Sequence, residues 1–539
     1  MQYFIPAWYQ EGGWMENEQA WYRARAVTEF DDTVKQVQLF FRRHVAPFRI
    51  LLLGFSPNFR HFLHRQGVYH APYWSCFDAM RGIRTHTMGI FSFHELAWPD
   101  DVEFVYSPFA VIALRRGEEY AHVEFAEDGN MFRVDLFSGG GIASTNLYDD
   151  RGFLSCEIAY RNGAPARERY FDEEGTWKFA RYLSDGHVVV NPQSAWFLHG
   201  AGDEATRVPY SRQRYDSIDE VIAEVLADRI AGTAPEDVFM VAMHPRHSAV
   251  LDRVLAGRPK VLSFFERRNA GEGATDAGRR LVEDAACVVV DKRRTAARVE
   301  PLARAAQVPL RVITPYETRV EFGESQHLHV QNVLVSADAL DERRFDAVAV
   351  ALARYIEEGN DQARVCLFTR SARYEVRAKL IERVRAALES AGLDPAIAGA
   401  DTGVSENEPV DDERANVFSV AQCVDELHVN RTLREQRVVV DLSDAPDQFL
   451  QISAMSLGIP QITTRETEYV ADGKNGKVIA DAAALVPAVD FYLSSVEHFN
   501  EAQIASYDLG GQFTSDKLVK AWKEVISIGQ HSGTATGTR

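Results

Sequence analysis

The feature that most narrows the fold of this chain is an alternation. Short, almost wholly apolar runs of strand length recur, each followed by a segment of helix length. Tyr3–Pro6, Arg49–Leu53, Val238–Met243, Lys260–Phe265, Cys287–Asp291 and Arg311–Thr314 form one series, with helices expected near 18–43 and 217–230. Strands without a polar face are buried on both sides, which is the mark of a parallel sheet covered by helices. A second series follows, with helices over 341–358 and 375–388 and strands at Arg364–Phe368, Glu426–Val429 and Val438–Asp441. Between the two series, Gln331–Ala339 reads as a hinge, and the acidic, Asn-containing loop 401–414 as a mobile segment. A chain of 539 residues is long enough for two to four domains, so two α/β layers fit.

Within the first series the pattern breaks once. From about Val102 to Asn191, polar and apolar residues alternate in short runs separated by acidic-Gly turns, as in antiparallel hairpins. Phe125–Gly129, Tyr148–Gly152 and Phe171–Gly175 place their glycines 23 residues apart each time. One such turn is commonplace; three at one interval mark a repeated unit, long enough for a strand pair and two turns. The segment is expected to be a meander inserted in the α/β layer, either a plain structural sheet or, through exposed strand edges, a surface for protein docking.

The stretch Asp441–Val478 carries the chemistry. A buried strand leads into a short helix ending at Gly458; after Pro460 come a second apolar strand and the Gly473–Gly476 turn. This resembles the donor half of GT-B glycosyltransferases, whose pattern there is Glu, seven residues, Glu, then Ala-Met-x-x-Gly-x-Pro. Ala454, Met455, Gly458 and Pro460 match the tail in order, while the two glutamate positions hold Ala445 and Ser453. In that family the carboxylates hold the ribose hydroxyls and support the sugar. Alanine accepts no side-chain hydrogen bond and serine carries no charge, so the resemblance implies a degenerate donor site. Asp444 and Asp447 are the nearest replacement carboxylates. Asp447 and Gln448, Glu466 and Glu468, and the Gly12-Gly13 turn after the first strand are further candidate cleft residues. Arg370 follows its strand where such enzymes use a basic pair on the diphosphate, and it is expected to be solvated, as are Glu466 and Glu468.

Other chemistries find less support. A formal charge of −19 opposes nucleic-acid binding, which needs concentrated Lys and Arg. The five cysteines at 76, 156, 287, 366 and 423 are scattered and never spaced CxxC, so reduced thiols are expected, with no zinc site. His61/His64 and His244/His247 lack the glutamate of a zinc-protease helix, and no metal or cofactor is expected. The Phe137–Ile142 glycine run lies in the hairpin segment and does not open a helix, so it reads as a turn. No apolar run reaches spanning length, and a cytoplasmic location is expected.

The aromatic N-terminus (Tyr3–Tyr9, Trp14, Trp21), Tyr73–Asp78 and the block Asp447–Ile452, Gly458–Ile462, Glu468–Val470, Gly473–Gly476 sharpen the likeness. Together with the inserted repeats, their order resembles the first of the three accessory Sec system proteins, the Asp-type accessory secretory family of Gram-positive bacteria. The resemblance runs from Tyr3 to about Trp522. It implies an α/β, GT-B-like fold of two Rossmann-like domains, 1–101 plus 193–335 and 336–495, with an inserted antiparallel sheet at 102–192. Closing helices would occupy 496–527 and a disordered tail 528–539.

By the same resemblance the chain would be a non-catalytic adaptor in the export of serine-rich adhesins. Its partners would be two sister accessory proteins, a dedicated accessory Sec ATPase and the adhesin, with glycan a further candidate. The complex would sit in the cytoplasm, peripheral at the inner face of the membrane. The rival readings are an active glycosyltransferase passing a UDP-sugar to a Ser-rich acceptor, and a carbohydrate-binding protein using Trp8, Trp14 and Trp74.

Overall fold

The computed structural model describes residues 1–9, 13–15, 32–126, 128–192, 210–266, 275–321, 323–373, 375–399 and 417–536. Gly12, Trp21, most of the first expected helix and the loop 401–414 lie outside them. The described residues form two compact units. One takes in the N-terminal strand, Gln36–Ile313 and the chain end from Trp522; the other takes in Thr314–Ala521.

The first unit is built on a seven-stranded parallel sheet in the order Leu310–Val312, Cys287–Val290, Lys260–Phe264, Val238–Ala242, Gln2–Ile5, Phe48–Leu52, Tyr73–Ser75. The N-terminal strand is central, pairing with Val238–Ala242 on one side and Phe48–Leu52 on the other. This explains why Ile5, Leu51, Val241 and Leu262 are fully buried. Each such side chain taken from water contributes roughly 1.5–3 kcal/mol.

The second unit has six parallel strands: Phe418–Gln422, Ala363–Thr369, Gln331–Ser336, Gln436–Asp441, Gln461–Thr463 and Gly476–Val478, in that spatial order. Numbered along the chain this is 3-2-1-4-5-6, the doubly wound arrangement whose ligands lie beyond the carboxyl ends of the strands. Two expectations are corrected here. Gln331–Ser336, read as a hinge, is a strand paired on both sides, its last four residues buried. Its polar first two residues disguised the run. Glu426–Val429, read as a strand, opens the helix Glu426–Arg434, capped by the Asp425 side chain on His428 N. The missing strand is Phe418–Gln422, just upstream.

Between the third and fourth strands of the first unit runs a ten-stranded antiparallel meander from Val102–Tyr106 to Arg214–Tyr215. Its hairpin turns alternate between two ends. Turns at Arg116-Gly117, Gly139-Gly140 and Asn162-Gly163 form one set, all at positive φ. A Cβ on any of their glycines would meet nothing within 4 Å. The three turns spaced 23 residues apart form the other set and rest on the α/β layer.

The final helix, Ser515–Thr536, runs through most of the segment expected to be a disordered tail. Gly529 is buried there, and a Cβ on it would come 2.9 Å from Val238 Cγ1. That contact holds the chain end against the central strands of the first sheet.

Candidate functional site

At the carboxyl ends of the second sheet, three loops interlock. Asp338, after the first strand, accepts hydrogen bonds from the Thr369 hydroxyl and from Arg370 N, the latter at 2.6 Å. Arg370, after the second strand, lays its guanidinium 5.4 Å from the Phe449 ring centroid, with Nε 3.1 Å from Asp447 Oδ2. Its side chain is only 9% exposed, so the expected solvated arginine is instead a buried partner of Asp447. Asp447 in turn caps the helix Gln448–Ser456 by accepting from Leu450 N at 3.0 Å.

Beneath them, buried Asp441 accepts from Ser443 N, Ser443 Oγ and Asp447 N at 3.1, 2.6 and 2.9 Å. Burial pushes its carboxyl pKa up. A helix N-terminus with a nearby arginine is a natural anion site. Here the Asp447 carboxylate caps the helix and lies beside the Arg370 guanidinium.

The motif positions divide by role. Ala454 and Met455 are fully buried in that helix, and Pro460 is buried beyond it. Gly458 has φ +70°, and a Cβ there would fall 2.5 Å from Gln503 Cγ, so it admits the following helix. Gly476 lets its strand close on Gln461, whose carbonyl oxygen a Cβ would strike. What the chain retains of the donor pattern is packing. Ala445 sits half-buried in the loop before the helix, and Ser453 lies within it at 7% exposure.

The remaining candidates play structural parts. Gln448 is buried and donates to Tyr469 Oη at 2.8 Å. Glu466 is exposed and accepts from Asp472 N at 3.0 Å, tying down the glycine turn. Glu468 is half-buried in the same loop. In the first unit Gly13 precedes a backbone pairing in which Phe55 N donates to Trp14 O at 2.7 Å. The close approach there belongs to Gly54, where a Cβ would lie 2.9 Å from Trp14 O.

Trp8 and Trp14 are buried, Trp8 against Phe59 and Phe62, Trp14 donating to Asp219 at 2.7 Å; Trp74 packs against the same core. The two buried indoles are unavailable for stacking on a sugar. His247 is fully buried between Tyr9 Oη and the Ala242 carbonyl, a packing role. All five cysteines are free and buried.

One cluster escaped the sequence. The middle repeat turn, Asp149-Asp150-Arg151, plugs into the helices Phe59–Arg65 and Cys76–Arg81 through three arginines and three aspartates. Arg151 grips Asp78 with two bonds of 2.9 Å and Asp149 with bonds of 2.5 and 2.7 Å. Arg60 pairs with Asp149 and Asp150, and Arg81 reaches Ser155 Oγ and Asp78, each at 2.7 Å. The flanking repeats reach the same surface more lightly: Asp128 lies 3.8 Å from His61, and Glu173 accepts from Thr85 N at 3.0 Å. Asp78 and Asp149 keep lowered carboxyl pKa values, burial opposing and the arginines prevailing, whereas burial raises Asp150 to about 7. The signal available in the sequence was an arginine inside an otherwise acidic turn.

A family model for the first of the accessory Sec system proteins, the Asp type, matches residues 1–528. The protein of that description from Streptococcus gordonii is 29% identical over 534 residues, 97% of this chain and 98% of its own. A solved structure of accessory secretory proteins 1, 2 and 3 from Streptococcus pneumoniae contains a chain 27% identical, with a TM-score of 0.77, covering 98% of this chain and 100% of that one. The pneumococcal O-GlcNAc transferase GtfA, solved with UDP and GlcNAc, matches with a TM-score of 0.70 at 10% identity, covering 98% and 99%. At that identity the likeness is one of fold.

Proposed function

The chain belongs to the family of the first accessory Sec system protein, the Asp type, and from that premise we propose that it is a non-catalytic adaptor that helps export serine-rich-repeat glycoprotein adhesins. The observation that carries this reading is the division of roles in the donor motif. Every retained residue packs, and the two positions that should carry carboxylates are Ala445 and Ser453. Asp447 caps the helix and lies 3.1 Å from Arg370 Nε, which supports a reading in which no donor diphosphate is held there.

The proposed partners are the two sister accessory proteins, supported by the pneumococcal structure in which a similar chain is solved with proteins 2 and 3. Beyond them stand the accessory Sec ATPase and the adhesin. We place the complex on the cytoplasmic side, peripheral to the membrane. Among the described residues no helix is long and apolar enough to cross a membrane. The second reading, transfer from a UDP-sugar, has the fold likeness to a UDP-bound transferase in its favour.

The test is reconstitution. Mixed with its two purified sister proteins, the chain is expected to elute as one complex whose mass equals the sum of the components. Elution of the chain by itself at micromolar concentration would contradict an adaptor role.

A further inference from the structure

The meander ends in two very different edges. One is Arg214–Tyr215, only two residues long. The other is Val102–Tyr106, which pairs with Ala110–Arg115 in unbroken antiparallel register and has no described strand on its outer side. Ser107 N donates to Ala110 O at 3.0 Å, which sets the alternation of the ladder. Glu103 and Val105 then bond inward, and the N–H and C=O groups of Phe104 and Tyr106 point outward.

Natural edges are blunted by lysine, proline, a bulge or a cover. Val102–Tyr106 has no proline, lysine or bulge, and its one charged side chain is the exposed Glu103. Instead the strand and its turn expose apolar side chains: Val105 at 45%, Tyr106 at 64% and Phe109 at 52%. The rim is acidic. The strand and its neighbouring hairpin carry Asp100, Asp101, Glu103, Glu118 and Glu119 against Arg115 and Arg116, and Asp101 pairs with both arginines.

We propose that Val102–Tyr106 is the edge on which one of the sister accessory proteins adds a β-strand, extending the meander. This rests on the adaptor reading above. The apolar side chains fit a folded partner's strand with alternating apolar residues better than a Ser-rich chain, and the acidic rim selects one with basic flanks. A second copy of this chain would bring the same acidic rim and another net charge of −19.

The experiment uses the full chain and the two sister proteins. Tyr106→Pro removes an outward-facing donor without breaking a bond to Ala110–Arg115. Tyr106→Ala removes only the ring. Tyr106→Pro is expected to weaken assembly at least about tenfold, with Tyr106→Ala weakening it less.

Hydrogen exchange on the unmodified chain gives an independent readout. The Phe104 and Tyr106 amides are expected to exchange freely alone and to slow in the complex. Assembly of Tyr106→Pro within about twofold of wild type, with those amides unprotected, overturns the inference and leaves the adaptor reading standing. A wild-type chain that forms no complex overturns both. A dimer of the isolated chain lost in Tyr106→Pro overturns it in favour of a second copy.

Discussion

Asp150 is a carboxylate whose charge is costly where it sits. It faces Arg60, the backbone of His61 and the neighbouring Asp149, with Arg151 on the other side of the turn. Burial lifts its pKa to about 7 against an ordinary 3.8, and Asp149 adds to the rise. The folded state therefore binds a proton that the unfolded chain has released between those values. Stability from this group is full below about pH 4 and is lost as pH rises through 7. Relative to Asp150→Asn, wild type should lose stability as pH rises from 4 to 8, read from denaturant unfolding at the two pH values. A flat difference would refute the assignment.

Asp447 makes the opposite case. Its carboxylate caps a helix and holds Arg370, so Asp447→Ala should cost on the order of 3 kcal/mol, with Asp447→Asn costing less because it keeps the cap. Denaturant unfolding of the two variants beside wild type checks that order. At this scale the motif glycines, Pro460 and the missing glutamates were legible, because each acts through its own size or charge. The pairing of Arg370 was not, because its partner lies 77 positions further along the chain.

The meander is tied to the α/β layer through ion pairs and hydrogen bonds of its base turns, chiefly those of Arg151. Its existence and its three base turns could be read from the 23-residue interval. Which turn anchors it could not, since that depends on Asp78 and Arg81 arriving from another element. Arg151→Met would leave Asp78 and Asp149 short of a partner inside the protein, a loss on the order of 3–5 kcal/mol. Amide exchange should speed up in the turns 149–153 and 172–176 while the Gly139-Gly140 turn stays unchanged. Equal acceleration at both ends would contradict an anchor at the base. The strand Gln331–Ser336 shows the limit of local reading: its identity comes from neighbours on both sides, which no short window contains.

At the scale of the whole molecule, each of the two units carries a doubly wound layer, which gives the chain a GT-B-like frame. Alternating apolar runs made that frame legible, because a parallel sheet covered by helices is the arrangement that buries them. On the adaptor reading proposed above, Ala445 and Ser453 leave the motif without its two carboxylates, and the insert offers an open edge. On that reading the scaffold works through its surfaces and binds no sugar donor. Placing carboxylates with Ala445→Glu and Ser453→Glu should therefore leave the chain unable to bind a donor, because Asp447 still lies against the Arg370 guanidinium. Donor binding by the double variant, seen as heat in a titration, would show that the glutamates alone were missing.

The most direct test is calorimetric titration of the folded wild-type chain with UDP and UDP-N-acetylglucosamine. The account predicts no heat up to about millimolar ligand. Binding tighter than that, worth roughly 4 kcal/mol or more, would contradict it and return the chain to the transferases.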